Sequence, residues 1–300
     1  MPELPEVEIT ARLLDGALAG ARITSATAPG INALKTFEPP LSALEGERIE
    51  GVRRRGKHLI VEVSGGLFLL IHLMSAGRLQ LYDKPAGPRD RTSRLLVRVL
   101  PTEREGRPPG TGALSPGEPA ERELRLREFG SKQAAWVKLL TAEGLAADPS
   151  LAALGPEAWP DPPPLDGLLD APRPLHALLR DQHVIAGIGR SWVDEILWRA
   201  GLSPFKRAAD LDSEESDRLR EAIAGTLGGA LEHYERAIVL PIPDKLPMPL
   251  EVHRHEGESC PRCRATLRAV HFEDYVIAYC PECQTDGRVL KDRRLSRLLR

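Results

Sequence analysis

Residues 58–73 read HLIVEVSGGLFLLIHL, and this stretch indicates the fold class of the first half of the chain. Two apolar runs of strand length flank the pair Gly65-Gly66, and glycine pairs are typical of turns between neighbouring strands. Similar short runs follow it: RLQLY (78–82), SRLLVRV (93–99), ELRLREF (123–129) and AAWVKL (134–139). Their spacing predicts an antiparallel sandwich or barrel.

A helix is predicted before these strands, over residues 5–18. One apolar stripe at helical spacing runs along it: Val7, Ala11, Leu14 and Leu18. Pro5 suits the first turn, because its missing N–H would have no partner there. Residues 101–120 hold nine prolines and glycines without periodicity, so we expect a long exposed loop between two strands.

The second half of the chain changes character after the stretch PDPPP (160–164). Helical periodicity follows up to about residue 237, and a proline-rich connection then leads to a module that contains all the cysteines. We therefore expect three domains, of which residues 1–150 are rich in strands, 151–240 are helical and 250–300 carry the cysteines.

The four cysteines form the pattern C-x2-C-x16-C-x2-C, with one pair at Cys260 and Cys263 and the other at Cys280 and Cys283. Two such pairs supply the four thiolates of a tetrahedral site, and the alternating segment between them predicts a β-hairpin. The pattern predicts one structural Zn²⁺ ion. Cysteines confined to one module also favour a reducing compartment over a secreted disulfide scaffold.

The overall charge is close to neutral, at −2, so a polyanionic partner would have to meet a local basic patch. Two candidates are the cluster RRRGK (53–57) and the tail 288–300, which holds six basic residues and one acid. The alternative interpretation is that both clusters are ordinary solvent-exposed surfaces without a binding role. No run of about 18 apolar residues and no export signal occurs, so we expect no membrane span and a cytoplasmic location.

The stretch AGIGRSWVDEIL (186–197) predicts a tight glycine turn at the start of a helix. Ser191 and Asp194 have the spacing of a capping box. The free N–H groups of Gly189 and its neighbours, with the charge of Arg190, would form an anion site. A plain connection between two helices is the alternative interpretation.

The chain opens MPELPEVE, and removal of the initiator methionine would expose the secondary amine of Pro2. An α-amino group has a pKa of about 8, so part of it is unprotonated at neutral pH. Such an amine can attack a sugar C1′ to give an iminium, and Glu3 could move protons to and from the ring. Glu6 suits the positive end of the helix. The alternative interpretation is that the N-terminal residues Met-Pro-Glu have no catalytic role.

Taken together, MPELPEVE, RRRGKHLIVEV, LREFG, GIGRSWVDEIL and the four-cysteine module resemble the formamidopyrimidine-DNA glycosylase and endonuclease VIII family of base-excision repair enzymes. The resemblance covers nearly the whole chain. It implies an α+β fold, with an N-terminal antiparallel β-sandwich that carries the catalytic N-terminal helix, a helix–two-turn–helix domain and a C-terminal β-hairpin zinc finger. It also implies a monomer acting on double-stranded DNA with oxidised bases or abasic sites.

The resemblance also implies roles for individual residues. Pro2 would be the nucleophile, Glu3 the proton donor to the sugar and Glu6 an active-site acid. Lys57 would bind phosphate and assist β-elimination. The residues expected to fill the gap left by the flipped base are Arg127, Phe129 and Met74, although an ungapped match puts Ser75 at the position of the family methionine.

Two departures from the family pattern concern phosphate contacts. Arg190 stands where the family usually has asparagine, and Tyr275 stands where the family finger usually has arginine. We hypothesise that Arg190 supplies the missing cation. The glycine- and threonine-rich loop of the purine-specific enzymes is replaced by a proline-rich, apolar stretch.

The leading interpretation is a bifunctional glycosylase and abasic-site lyase that removes oxidised purines such as formamidopyrimidine and 8-oxoguanine. The same chemistry on oxidised pyrimidines is one alternative. A catalytically weak protein that binds damaged DNA is a second alternative, and a zinc-ribbon interaction protein is a third.

Overall fold

The computed structural model describes residues 2–30, 32–86, 90–101, 120–129, 133–165 and 172–290. Most of the predicted loop 101–120 and most of the basic tail 288–300 lie outside these residues. Within the described ranges, none of the helices has the length and apolar character that crossing a membrane requires.

Three of the α-helices in the described part of the chain have eleven residues or more, and the other four have five residues or fewer. In chain order the helices are α1 (Leu4–Leu18), α2 (Ala142–Ala146), α3 (Pro149–Ala152), α4 (Leu175–Leu179), α5 (Arg190–Ala200), α6 (Ser213–Ala237) and α7 (Pro281–Thr285). The helical periodicity predicted up to about residue 237 corresponds to α4, α5 and α6.

The strands are β1 (Arg22–Thr27), β2 (Ile49–Arg55), β3 (His58–Val63), β4 (Leu67–His72), β5 (Gly77–Tyr82), β6 (Ser93–Leu100), β7 (Arg122–Glu128), β8 (Trp136–Thr141), β9 (Arg268–His271) and β10 (Val276–Tyr279). All six runs between 58 and 139 that were predicted as strands are strands. The prediction missed β1 and β2, because RITSAT and IEGVRRR have few apolar residues and no regular alternation.

Two four-stranded antiparallel sheets form the sandwich, in the orders β1-β6-β7-β5 and β2-β3-β4-β8. Their inner faces share one apolar core, to which α1 adds the predicted stripe of Val7, Ala11, Leu14 and Leu18. Burial of such side chains contributes about 25 cal/mol per Å² of apolar surface, so this core is the main source of stability in the sandwich. The predicted antiparallel sandwich is confirmed.

The chain divides into two compact units. The sandwich unit contains Met1–Pro2, Glu6–Ala152 and Ala237–Leu246, and the helical unit contains Glu3–Pro5, Ala153–Arg236 and Pro247–Arg300. The connecting segment Ala237–Leu246 therefore belongs to the sandwich unit. Its Ile242 is buried in the sandwich core, and Leu240 and Leu246 pack against that core.

A buried polar network joins α5 to the finger inside the helical unit. Glu195 accepts hydrogen bonds from the backbone N–H groups of Glu251, Val252 and His253 at 3.0, 3.0 and 2.8 Å. Burial raises the pKa of Glu195, and the three N–H donors act in the opposite sense. The carboxylate therefore fixes the backbone that enters the finger.

The predicted capping box at the start of α5 is wrong. The N-cap residue is Gly189 and no side chain of its own caps the helix there. Asp194 points into the protein instead, where it accepts a hydrogen bond from the N–H of Ala278 (3.0 Å) and contacts Nδ1 of His253 (2.7 Å). The sequence spacing between Ser191 and Asp194 fits a capping box whether or not Asp194 caps the helix. Local sequence therefore could not show that Asp194 instead contacts Ala278 and His253.

Candidate functional site

The carboxylate of Glu3 caps helix α5 from a distant part of the sequence. Its Oε1 accepts a hydrogen bond from the N–H of Ser191 (2.9 Å), and its Oε2 accepts one from the N–H of Trp192 (3.4 Å). The side chain is 1% exposed. The predicted anion site at this helix start therefore holds a carboxylate of the protein itself, as the positive end of a helix favours.

Two glycines make this approach possible. A Cβ atom at Gly189 would lie 2.2 Å from Cδ of Glu3 and 2.5 Å from each of its carboxylate oxygens. Gly187 has a φ of +109°, and its carbonyl accepts a hydrogen bond from the N–H of Leu4 at 3.0 Å. The glycine turn therefore serves to seat the N-terminal segment.

The other N-terminal candidates lie in the sandwich unit. Pro2 is half-buried, Glu6 lies buried in the first turn of α1, and Lys57 is buried in the turn between β2 and β3. Arg78, which sequence analysis did not select, is electrostatically coupled to Glu6. Burial lowers the pKa of Arg78, while the charges of Asp244 and Glu6 act in the opposite sense.

Two histidines next to Lys57 are held neutral. His58 and His72 lie edge to face with ring centroids 4.7 Å apart, and Trp136 stacks on His72 at 5.7 Å. Burial, together with the charges of His58 and Lys57, lowers the pKa of His72 to about 3. Because Nδ1 of His72 accepts a hydrogen bond from the N–H of Met74, the neutral ring carries its proton on Nε2 and can donate it.

His58 should make the unfolding free energy depend on pH. Burial lowers its pKa from 6.5 to about 4, so below pH 6.5 the unfolded chain binds a proton that the folded chain does not. The free energy of unfolding should therefore fall as the pH drops from 6.5 to 4, by about 1.4 kcal/mol per pH unit from this group. Urea titrations at pH 7, 5.5 and 4.5 on wild type and His58→Gln measure the effect, and parallel pH profiles for the two proteins would contradict it.

The basic cluster 53–57 is partly neutralised. Arg53 forms an ion pair with Glu62 at 2.5 Å, and Arg54 forms one with Glu8 at 2.7 Å. The cluster is therefore not a uniform positive surface. Its last residue, Lys57, is buried.

Arg127 and Phe129 occur together at the end of β7. The guanidinium carbon of Arg127 lies 4.6 Å from the Phe129 ring centroid. Arg127 also donates hydrogen bonds to the hydroxyl of Tyr82 (2.8 Å) and to Oγ1 of Thr92 (3.1 Å). These contacts hold the guanidinium in one orientation beside the aromatic ring.

The connecting segment reaches the same cluster. Gln80 is buried and donates hydrogen bonds to the carbonyl of Ile242 (2.6 Å) and to Oδ1 of Asp244 (3.1 Å). The Asp244 carboxylate lies 3.8 Å from Nη1 of Arg127. The backbone carbonyl of Asp244 accepts a hydrogen bond from Nε of Arg78 at 2.5 Å. Sequence analysis missed this arrangement, because Gln80 and Ile242 are 162 residues apart and neither belongs to a motif.

Met74 lies in the turn between β4 and β5 with a φ of +49°, a conformation that few residues other than glycine adopt. Its side chain is half-buried, whereas Ser75 is exposed. The turn thus presents two adjacent residues, and Met74 is the apolar one.

Arg190 and Tyr275 lie close together in the helical unit. The guanidinium of Arg190 donates hydrogen bonds to the carbonyl and to Oδ2 of Asp274, both at 2.7 Å, and its central carbon lies 5.3 Å from the Tyr275 ring centroid. Arg190 therefore reaches the turn of the finger, but its charge is paired with an acid there.

The four cysteines converge as their spacing predicts. Their Sγ atoms all lie within 4.8 Å of one another, with Cys263 and Cys280 at 3.4 Å and Cys260 and Cys283 at 3.9 Å. Four thiolates at 2.3 Å from a tetrahedral ion would be separated by about 3.8 Å, so the cluster fits a metal ion. The predicted hairpin between the two pairs is confirmed as β9 and β10.

Comparison with known proteins matches two family models. Residues 1–106 match the formamidopyrimidine-DNA glycosylase N-terminal domain, and residues 163–240 match the formamidopyrimidine-DNA glycosylase H2TH domain. The first match spans α1 and the strands up to β6, and the second spans the glycine turn, α5 and α6.

Relatives and solved structures agree with these matches. A formamidopyrimidine-DNA glycosylase of Cereibacter sphaeroides is 33% identical over 305 residues, which is 95% of this chain and 100% of the relative. Lactococcus lactis Fpg in complex with DNA containing an abasic site has a TM-score of 0.78 and 25% identity, over 94% of this chain and 99% of that chain. The same Lactococcus enzyme with DNA containing N7-benzyl-Fapy-dG has a TM-score of 0.77 and 26% identity, over 95% and 100%.

The two family models together match residues 1–106 and 163–240, and the Cereibacter relative is matched over 95% of this chain. The chain therefore belongs to the formamidopyrimidine-DNA glycosylase family.

Proposed function

We propose that this protein is a base-excision-repair DNA glycosylase and abasic-site lyase that acts on oxidised purines in double-stranded DNA. The observation that carries the proposal is the fixed pair at the N-terminus. Pro2 is followed directly by a buried carboxylate, Glu3, which two backbone N–H groups of α5 hold in place. The names of the relatives and the damaged DNA in the solved structures support the same activity.

The reaction begins with attack of the unprotonated Pro2 nitrogen on C1′ of the damaged nucleotide. The base leaves with the electron pair of its bond to C1′ and takes up a proton, which balances the proton that the Pro2 nitrogen loses. Glu3 protonates the ring oxygen as the sugar opens, and the nitrogen and C1′ form an iminium. Loss of a proton from C2′ then expels the 3′ phosphate by β-elimination. Water hydrolyses the iminium and frees the enzyme. Glu6 acts as a further acid near the amine, and Lys57 holds the phosphate and assists the elimination.

The DNA contacts follow the same scheme. Base removal requires the nucleotide to leave the stack, and the vacated space must be filled. Arg127 is suited to hydrogen-bond the orphaned partner base, Phe129 to wedge between base steps, and Met74 to occupy the gap. Gly189, Arg190 and Tyr275 lie at the start of α5 and in the finger turn, and we assign them to the phosphate backbone.

We further propose that the chain has three functional segments. Residues 1–150 form the catalytic domain, residues 151–240 bind DNA through the helix–two-turn–helix motif, and residues 250–300 form the zinc finger. The protein works as a monomer on chromosomal DNA in the cytoplasm. A reducing compartment agrees with four cysteines whose Sγ atoms form one cluster.

The metal of the cysteine cluster is proposed to be Zn²⁺, because four thiolates in tetrahedral array favour it and leave no position open for substrate. When bound, it supplies folding energy to the finger and takes no part in the chemistry.

Metal analysis should therefore find one zinc ion per chain. Cys280→Ser should lower the metal content to near zero and weaken binding to DNA at least tenfold, because Cys280 belongs to the small buried cluster of the finger. Absorption of the Co²⁺-substituted protein would report thiolate coordination. A full complement of zinc in Cys280→Ser would contradict the assignment.

Borohydride trapping tests the function directly, because borohydride reduces the iminium to a stable protein–DNA adduct. Three duplexes are compared, which carry 8-oxoguanine opposite cytosine, an oxidised pyrimidine and a preformed abasic site. Adducts on the first and third duplexes but not the second are expected. Adducts on only the second and third duplexes would indicate that the substrate is an oxidised pyrimidine. Trapping on none would leave a damaged-DNA-binding protein.

A further inference from the structure

Two arginines converge on one tyrosine ring in the helical unit. The Tyr275 ring stacks on Phe272 with centroids 4.5 Å apart and planes 4° apart, and lies nearly parallel to His176 at 5.9 Å. The guanidinium carbon of Arg180 lies 4.6 Å from the Tyr275 centroid, and that of Arg190 lies 5.3 Å away. A rigid stack of rings therefore carries two cations on its surface.

The two arginines differ in their counter-charges. Arg190 is paired with Asp274 through two hydrogen bonds. Arg180, by contrast, forms no ion pair and no side-chain hydrogen bond with any residue that the structure describes, and its buried Nη1 atom has no partner there. A half-buried cation without a hydrogen-bond acceptor is unfavourable, because part of its hydration is lost and only the contact with the Tyr275 ring replaces it. An anion at this position would remove that cost.

The backbone fixes where Arg180 stands relative to the start of α5. Arg180 is the C-cap residue of α4. The amide of Gln182 donates hydrogen bonds to the carbonyls of Arg180 (2.9 Å) and Ile188 (2.8 Å), and its oxygen accepts one from the N–H of Gly187 (3.0 Å). This half-buried amide thus ties the backbone of Arg180 to the glycine turn, so the cation is held beside the helix start.

We propose that Arg180 binds a phosphate of the DNA backbone, with the Tyr275 ring as the platform that orients its guanidinium. This inference rests on the proposed function. A planar guanidinium that lies on an aromatic ring keeps its N–H edges available, and two parallel N–H groups match two phosphate oxygens. Arg180 therefore provides the unpaired charge on this surface, and Arg190 provides a charge that Asp274 already offsets.

The test measures affinity as a function of salt. Each phosphate contact adds about −0.9 to the slope of log K against log salt, which corresponds to about an eightfold change in affinity between 1 M and 0.1 M. Fluorescence anisotropy with a duplex carrying a tetrahydrofuran abasic analogue gives K for wild type, Arg180→Gln, Arg180→Lys and Arg190→Gln. Arg218→Gln is the matched control, because it removes the same charge from an exposed position of α6 that pairs with Glu214.

Arg180→Gln should reduce the slope by about 0.9 and weaken binding about eightfold at 0.1 M salt. Arg180→Lys should keep the slope and lose only part of the affinity, which a purely structural defect would not produce. A smaller loss is expected for Arg190→Gln and none for Arg218→Gln. An unchanged slope in Arg180→Gln would overturn the inference while trapping of wild type on the abasic duplex still upheld the proposed function. Failure of wild type both to bind and to trap would overturn both.

Discussion

A variant with one alanine inserted before Pro2 should form at least 100-fold less borohydride-trapped adduct on abasic DNA than wild type. The insertion converts the secondary amine of Pro2 into an amide, whose nitrogen is not nucleophilic, and it leaves every side chain in place. Substitution of Pro2 by glycine is a weaker test, because it leaves a primary amine at the position of the Pro2 nitrogen, whereas the inserted variant carries its amine one residue further from Glu3.

Binding separates the loss of the nucleophile from a loss of structure. The inserted variant should bind a duplex with a tetrahydrofuran analogue within about threefold of wild type, because charge-assisted contacts to phosphate supply most of the affinity. Adduct formation at the wild-type rate would place the nucleophile elsewhere, and a buried lysine such as Lys57 would then be the next candidate.

Gly189→Ala should have the second largest effect, a fall of about 10²- to 10⁴-fold in the rate of base excision, which is the usual range for the contribution of a general acid. The new Cβ would lie 2.2 Å from Cδ of Glu3, which is too close for two carbon atoms that are not bonded to each other. The carboxylate must therefore leave the N–H groups of Ser191 and Trp192, and its position relative to the sugar changes with it.

A second glycine provides the control for this substitution. Gly229 lies within α6, and a Cβ there would meet no heavy atom within 4 Å. Gly229→Ala should leave the excision rate unchanged and stabilise the helix by up to about 1 kcal/mol, because alanine loses less backbone entropy than glycine. Single-turnover rates on an 8-oxoguanine duplex measure both variants. Equal rates for Gly189→Ala and wild type would show that the seat of Glu3 does not matter for excision.

Local sequence determined the strands β3 to β8, the three main helices of the second half and the cluster of four cysteines. Each depends on a pattern that a short window contains, whether a short apolar run such as HLIVEV, an apolar stripe or the spacing of two cysteine pairs. The N-terminal motif belongs to the same class, because the amine of Pro2 and the carboxylate of Glu3 are neighbours in the chain.

Only the tertiary structure decided what these groups touch. The cap of α5 comes from Glu3, 188 residues before Ser191, whereas the local candidate Asp194 is used to anchor the finger. The acid that offsets Arg190 and the ring that orients Arg180 likewise come from the finger turn. Hydrogen bonds and ring contacts of this kind depend on which elements pack together, and residue type and spacing within one segment carry no information about a partner that lies far along the chain.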